Sequence, residues 1–481
     1  MMGWLRRRRG DVIIRSPGWQ KVQRVHARQR KARLPFSATT TFLLTGGFAI
    51  LIGGGTVLLW LPIASTQSGA APLLTALFTA TSAVCVTGLV VVDSATYWTG
   101  FGQSVLAGLM YLGGLGIMTA GTILLVVIGR HLTLPGRIVM KESVGATTLG
   151  SVTSIIKRVL FLATAIQIVG SLVLLARLIT VFSTGEAIWY SVFHAISGFN
   201  NAGFVIFPDS DSLIGLRLDR FIIVTIGTLV LLGALSFSVI AELARRQRMS
   251  RWSLDTRLVL VGSLVLSLLG AMALFFIEQG NPATLGDVDR IDQISDSFFQ
   301  SIAARTAGFS TVDFGATRMP TNLVFMLLMF IGGASGSTAG GVKVNTMMVL
   351  LAAAVTSLRG RPHPEIFRRE LAYEQVARAI TLVLLVALTL LTFLLALMIT
   401  ERQSIDSGQF LFIDLLFESV SALGTTGLST GITSDLTTGG KLLITALMYV
   451  GRLGPLTIVL GLALREHRAV YRYAQETVRI G

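Results

Sequence analysis

Eight blocks of the chain are almost continuously apolar: residues 41–63, 103–129, 159–182, 220–242, 257–277, 321–354, 377–400 and 441–464. A helix needs about 20 apolar residues to cross the ~30 Å hydrocarbon core of a bilayer, so each block predicts one crossing. Eight crossings return the chain to the side on which it began. The polar connections alternate in charge. Arg130, Arg137, Lys141, Lys157 and Arg158 follow the second block, and Arg245, Arg246, Arg248, Arg251 and Arg257 follow the fourth. Arg359, Arg361, Arg368 and Arg369 follow the sixth, and Arg465, Arg468, Arg472 and Arg479 follow the last. Basic loops stay in the cytoplasm, which puts these segments inside together with a basic N-terminal tail carrying Arg6 to Arg9. Asp209, Asp211, Asp287, Asp289 and Asp292 fall on the other side.

Each outer connection also holds a segment too short to cross, and the four align without a gap. They read FTATSAVCVTGL (78–89), FHAISGFNNAGF (193–204), FFQSIAARTAGF (298–309) and FESVSALGTTGL (417–428). Phe78, Phe193, Phe298 and Phe417 each stand ten residues before a glycine, and Leu or Phe follows it. The glycines are 115, 105 and 119 residues apart, which predicts four copies of helix, half-helix, glycine turn and helix. The boundaries fall at 39–145, 146–250, 251–360 and 361–465, between cytoplasmic tails at 1–38 and 466–481. Every copy begins and ends inside, so the copies run parallel about an axis along the membrane normal. Inverted-repeat secondary transporters are built otherwise.

Non-helical backbone at membrane depth must be buried in protein or line a wet cavity, because unpaired carbonyls facing lipid cost several kcal/mol each. Four turns meeting on an axis meet that condition. The half-helices then point their partially negative ends inward, and main-chain carbonyls can replace a cation's water shell. This expectation is an all-α membrane protein with eight transmembrane helices and four re-entrant half-helices around a cation pore. The filter residues would be Thr87 and Gly88, Ala202 and Gly203, Ala307 and Gly308, and Thr426 and Gly427. Glycine suits the turn because positive φ costs it little. Gly113, Gly114 and Gly116 read as helix-packing positions.

Composition sharpens the class. The chain is 52% hydrophobic and 14% charged, with mean hydropathy +0.72, which excludes most soluble enzymes. Its net charge of +15 would suggest nucleic acid in a soluble protein, but here the basic residues sit between apolar blocks and report topology. Nucleic acid is therefore not an expected partner. The single cysteine, Cys85, allows no internal disulfide, and the five histidines show no metal-ligand spacing. No HExxH motif is present.

The sixth block is interrupted by GGASGSTAGGVK (332–343). Glycine costs about 1 kcal/mol per helical position relative to alanine, which predicts a loop within the membrane. A Walker loop fails on spacing, because Val342 separates the last glycine from Lys343. Arg452 lies midway along the last block, where a charge costs at least ~2.5 kcal/mol unless it meets water or a partner. Asn200, Asn201 and Arg305 precede their glycines and read as braces of the turns. Arg305 would hold carbonyls or an acidic neighbour such as Asp313 or Glu418. His194 and Glu418 share one repeat position and read as scaffold groups.

With VCVTGL, FNNAGF, RTAGFST and GTTGLSTG in this order, the chain resembles the membrane subunit of the Ktr/Trk/HKT superfamily of potassium uptake systems over residues 39–465. The resemblance implies K+ held at the filter glycines, no covalent cofactor, homodimers, and a cytosolic nucleotide-binding ring of the RCK/KTN type as partner. It also implies the inner membrane of a bacterium, with both termini cytoplasmic, and leaves sodium symport open. Trk-type members carry an extra helix pair before the first unit, so the chain is more similar to the eight-helix Ktr type. In plant members serine at the first filter position goes with sodium, and Gly88 sides with potassium. The family's gate implies roles for Gly332, Gly333, Ser335, Gly336, Ser337, Thr338, Gly340, Gly341, Lys343 and Arg452. Lys343 stands between pore and cytoplasmic interface on sequence grounds. The competing reading is an ion-coupled secondary transporter of an organic solute, for which no spanning block offers a central carboxylate.

Overall fold

The computed structural model describes residues 38–129, 150–208, 212–245, 249–361 and 363–464. Both tails, the basic segment 130–149, and Asp209, Asp211, Arg246 and Arg248 lie outside the described residues. All eight apolar blocks are helical in whole or in part. The long elements are Ala38–Trp60, Gly100–Gly129, Gly150–Leu178, Arg220–Ala234, Leu254–Glu278, Met319–Phe330, Tyr373–Thr400 and Thr438–Leu464. Among the described residues, Ile156–Leu178, Leu254–Glu278 and Tyr373–Thr400 are long and apolar enough to cross a membrane unbroken. Leu254–Glu278 opens on a Ser253 cap, whose hydroxyl accepts the Thr256 amide at 3.2 Å. It closes on the buried carboxylate of Glu278. That carboxylate accepts from Arg318 N at 2.9 Å, Asn281 Nδ2 at 2.7 Å, Thr284 Oγ1 at 2.9 Å and the Thr321 hydroxyl, which ties the helix to the start of Met319–Phe330.

Two blocks are not single helices. The glycine-rich run separates Met319–Phe330 from Val344–Leu358, as its composition predicts. The block 220–242, expected as one crossing, is instead bent by 106° between Arg220–Ala234 and Phe237–Ala244. Leu235 takes an extended conformation there, and Ser236 starts the second helix by accepting the Val239 amide at 3.4 Å. Such a break orphans the last carbonyls of the first helix. The glycine-rich loop supplies their donors: Thr338 N and Oγ1 reach Gly233 O at 3.2 and 2.8 Å, and Ala334 N reaches Ala234 O at 3.0 Å.

The four short segments are the helices Leu73–Cys85, Thr184–Asn200, Arg290–Ala303 and Phe412–Gly424. Phe78, Phe193 and Phe417 are fully buried, but Phe298 is 39% exposed and its neighbour Phe299 takes the buried place. The third helix also stops at Ala303, five residues before its glycine, whereas the others stop three before. The gapless alignment therefore holds for the turn but slips in the third half-helix.

Glycines in the following long helices let those helices seat on the half-helix ends. A Cβ at Gly113, Gly233 or Gly451 would strike the carbonyl of Val84, Phe199 or Leu423 respectively, in each case the carbonyl four residues before the filter glycine. Gly54, in contrast, has open space. Gly451→Ala should lower the stability of the detergent-purified protein by about 1–3 kcal/mol through overpacking. Gly54→Ala should be neutral or stabilising by up to ~1 kcal/mol. Equal thermal midpoints for the two variants would contradict this account of the seat.

Candidate ion pathway

Each turn carries a left-handed residue two positions before its glycine: Val86 (φ 55°), Asn201 (59°), Thr306 (90°) and Thr425 (47°), the first, second and fourth of them at the helix end itself. The glycines also have positive φ, 91° at Gly88, 72° at Gly203, 73° at Gly308 and 93° at Gly427. Two left-handed residues bracketing one ordinary residue reverse the chain within a few positions, a conformation that strains residues bearing a Cβ. The strain at the first position is held by the helix end, since Thr87 N, Ala202 N and Thr426 N return to Ser82 O, Ser197 O and Ser421 O at 2.8 to 2.9 Å.

The four turns meet in a closed ring. A Cβ on Gly88 would stand 2.6 Å from Ala202 O and 3.2 Å from Gly203 Cα. On Gly203 it would meet Ala307 O at 2.8 Å and Gly308 Cα at 2.9 Å; on Gly308, Thr426 O at 2.5 Å and Gly427 Cα at 3.2 Å. On Gly427 it would strike Thr87 O, with Gly88 Cα at 2.9 Å. Every residue named from the sequence as a filter position is thus in contact with the next quarter. Gly88 and Gly308 lie across the axis from each other, as do Gly203 and Gly427. Serine hydroxyls fix two of the glycine peptides. Ser82 Oγ and Ser421 Oγ accept Gly88 N at 3.1 Å and Gly427 N at 3.0 Å from behind. A planar trans peptide then points the Thr87 and Thr426 carbonyls away from those serines, where they meet Gly427 and Gly308 of the neighbouring turns.

On one side the ring opens into a cavity of about 560 Å³ lined by all four glycines. Exposed Asp93 and Asp313, each five residues after its glycine in opposite quarters, stand on its wall. Negative charge around a low-dielectric mouth raises the local cation concentration.

On the other side lies the loop 331–343. A Cβ at Gly340 would strike Thr425 Oγ1, and one at Gly332 would lie 3.2 Å from Thr306 Cγ2. The loop is buried and internally bonded: Gly332 N to Val342 O at 2.9 Å, Val342 N to Phe330 O at 3.1 Å, Val344 N to Gly333 O at 3.1 Å, and Ser337 Oγ to Ala334 O at 2.7 Å. Gly336 and Gly341 supply its positive-φ bends. Two cations grip it. Arg452 Nη1 donates to Thr338 O at 2.6 Å, and Lys343 Nζ donates to Ala339 O at 2.5 Å. Arg452 is 4% exposed, and its Nε and Nη2 have no partner among the described residues.

The model of a cation transport protein family, TrkH, matches residues 19–470. The chain belongs to that family. It is a family of transporters, not enzymes. The Ktr system potassium uptake protein B of Bacillus subtilis is 38% identical over 441 residues, 91% of this chain and 96% of that one. The potassium/sodium uptake protein NtpJ of Enterococcus hirae is 35% identical over the same length and shares. The potassium transporter TrkH from Vibrio parahaemolyticus has the same fold, with TM-score 0.68 at 18% identity, covering 90% of this chain and 86% of that structure.

The TrkH-family site gathers the sequence-named residues with two adjustments. Asn200 donates to Ile196 O at 2.9 Å, within its own helix. Asn201, with its amide turned to satisfy its neighbours, donates to Val230 O at 3.2 Å and Phe199 O at 3.3 Å, so it braces its turn against the next helix. Arg305 meets neither Asp313 nor Glu418. Its guanidinium donates to Ser263 O at 3.1 Å and Ser263 Oγ at 2.9 Å on Leu254–Glu278, because the early end of the third half-helix turns it outward. Lys343 stays inside the loop and does not extend to an interface. Sequence reasoning missed Ser82, Ser421, Gln300 and the acceptors Gly233 O and Ala234 O. The two serines were legible, since both stand six residues before a filter glycine; the carbonyls carry no sequence signal.

Removing the Arg452 donor should loosen the loop before anything else. In Arg452→Leu, amide exchange over 332–343 should rise several-fold while the amides of Phe412–Gly424 stay protected. Unchanged protection of the loop would mean that Arg452 does not hold it.

Proposed function

We propose that the chain is the ion-translocating subunit of a Ktr-type potassium uptake system in a bacterial cytoplasmic membrane. The observation that carries this reading is the closed ring in which each filter glycine abuts the carbonyl of the next quarter. Four inward carbonyls at one level can take the place of water around a dehydrated monovalent cation, and no side-chain charge enters the ring. The names of the Bacillus and Enterococcus relatives support potassium as the ion, and the second supports sodium as a further participant. Basic connections on one side support an inward-facing N- and C-terminus.

A hydrated K+ collects in the acidic mouth, sheds water against the carbonyls of Thr87, Ala202, Ala307 and Thr426, and passes to the loop. The loop and Arg452 form the gate: main chain and a fixed positive charge lie across the path and both must yield. Membrane potential drives the ion at about 2.3 kcal/mol per charge per 100 mV, so accumulation needs no hydrolysis within this chain. A homodimer and a cytosolic nucleotide-binding ring of the RCK/KTN type complete the assembly in this reading.

In proteoliposomes, ⁸⁶Rb⁺ uptake competed by K+ and Na+ tests the proposal. Gly88→Ser should lower the preference for K+ over Na+, since a Cβ there meets Ala202 O at 2.6 Å and displaces the ring. An undiminished preference would remove the carbonyl filter. Arg452→Ala, or deletion within 335–340, should raise flux with the preference retained. Lower or unchanged flux in a well-folded variant would remove the gate. Replacing external Na+ by choline reads sodium dependence in the same vesicles.

A further inference from the structure

We infer that His194 and Glu418, with Gln300 as their counterpart in the third quarter, are positioning residues of the filter, that the first two each set the direction of one main-chain carbonyl at the mouth, and that discrimination between K+ and Na+ depends on them. Each is fully buried in the middle of a half-helix. Each accepts the amide three residues after its own filter glycine. Ile206 N reaches His194 Nε2 at 3.2 Å, Thr311 N reaches Gln300 Oε1 at 3.0 Å, and Thr430 N reaches Glu418 Oε1 at 3.2 Å. Three different side chains therefore perform one task at one register position. Gln300 does so from one residue nearer its glycine, matching the slip of the third half-helix.

With no cis peptide present, each amide held from behind turns the carbonyl joined to it the other way. Those carbonyls belong to Val205, Ser310 and Ser429, all residues that line the cavity above the ring; the Ser310 carbonyl is itself taken by Leu213 N at 2.9 Å, so in the third quarter the peptide is held from both sides. The braces are themselves fixed. His194 donates from Nδ1 to Tyr190 O at 2.7 Å, which assigns Nε2 as the acceptor, and its ring stacks on Phe207 at 3.8 Å. Glu418 also accepts from Thr433 Oγ1 at 2.8 Å and from the Ser429 hydroxyl. Gln300 donates to Phe309 O at 3.4 Å. Without its acceptor the amide of Ile206 or Thr430 loses the side chain that fixes it and the peptide is free to rotate.

The first quarter is an internal control. Thr79 holds the position of His194 and Glu418, and its hydroxyl has no partner among the described residues. A merely structural effect of altering this position would appear at Thr79 as well.

The experiment measures the K+/Na+ preference of ⁸⁶Rb⁺ uptake in proteoliposomes for Glu418→Ala, Glu418→Gln and Thr79→Val. By analogy with groups that orient metal ligands, Glu418→Ala should lower the preference about tenfold. Glu418→Gln, which keeps a carbonyl acceptor, should restore most of it, and Thr79→Val should leave it unchanged. Should Glu418→Ala not fold, His194→Ala and His194→Gln give the same comparison. A folded alanine variant with the wild-type preference overturns the inference, as does a loss in Thr79→Val equal to that in Glu418→Ala. The inference rests on the proposed filter, and Gly88→Ser in the same vesicles separates the two. A preference sensitive to Gly88 but indifferent to Glu418 overturns the braces alone, whereas indifference to both overturns the filter.

Discussion

Main chain that leaves the helical conformation at membrane depth has nowhere to send its amides and carbonyls except into the protein. That constraint organises the molecule. Four left-handed turns, one long loop and one sharp bend all occur where lipid offers no hydrogen bond, and each is closed by specific partners. The turns are closed by helix ends and by Ser82 and Ser421, the bend by the loop, and the loop by its own strand-like pairing and by Arg452. What stays unspent is the inward carbonyl ring. In the proposed function these carbonyls are the groups that meet the ion.

The quarters share a plan and depart from it unequally. In the first, second and fourth, a glycine of the following helix seats against the half-helix end. In the third the corresponding stretch is broken into the loop, the half-helix stops early, Phe299 replaces Phe298 in the core, and Arg305 turns to Ser263. These differences belong together, because a straight helix seated as in the other quarters would fill the space beneath the ring that the loop occupies.

Much of this was legible in the order of residues. Periodic apolar blocks, four recurrent glycines and a glycine-rich interruption each have one economical physical explanation, so the helices, the turns and the break could be read before any coordinates. The 106° bend at Leu235 and Ser236 could not. Nothing in LVLLGALSFSVIAEL differs from an ordinary crossing, and the bend exists because donors from residues 334 and 338 are present to meet the carbonyls it frees. Which partner Arg305 takes was open for a related reason. Of the carbonyl and carboxylate partners that its charge allows, the position of the helix end placed the carbonyl and hydroxyl of Ser263 within reach. The frame slip at Phe298 was hidden by two adjacent phenylalanines, either of which satisfies the pattern.

The loop is fastened in three places that belong to different parts of the chain: Gly233 O and Ala234 O on one helix, Asn345 through Ser335 on its own, and the guanidinium of Arg452 on a third. Withdrawing it strips partners from all of them together, and in a hydrocarbon surrounding only water can replace them. If this segment moves as the proposed gate requires, its displacement and the wetting of the space around it are one event, with a hydration count built into its equilibrium, so that water activity acts on the proposed gate as directly as any force applied to the helices.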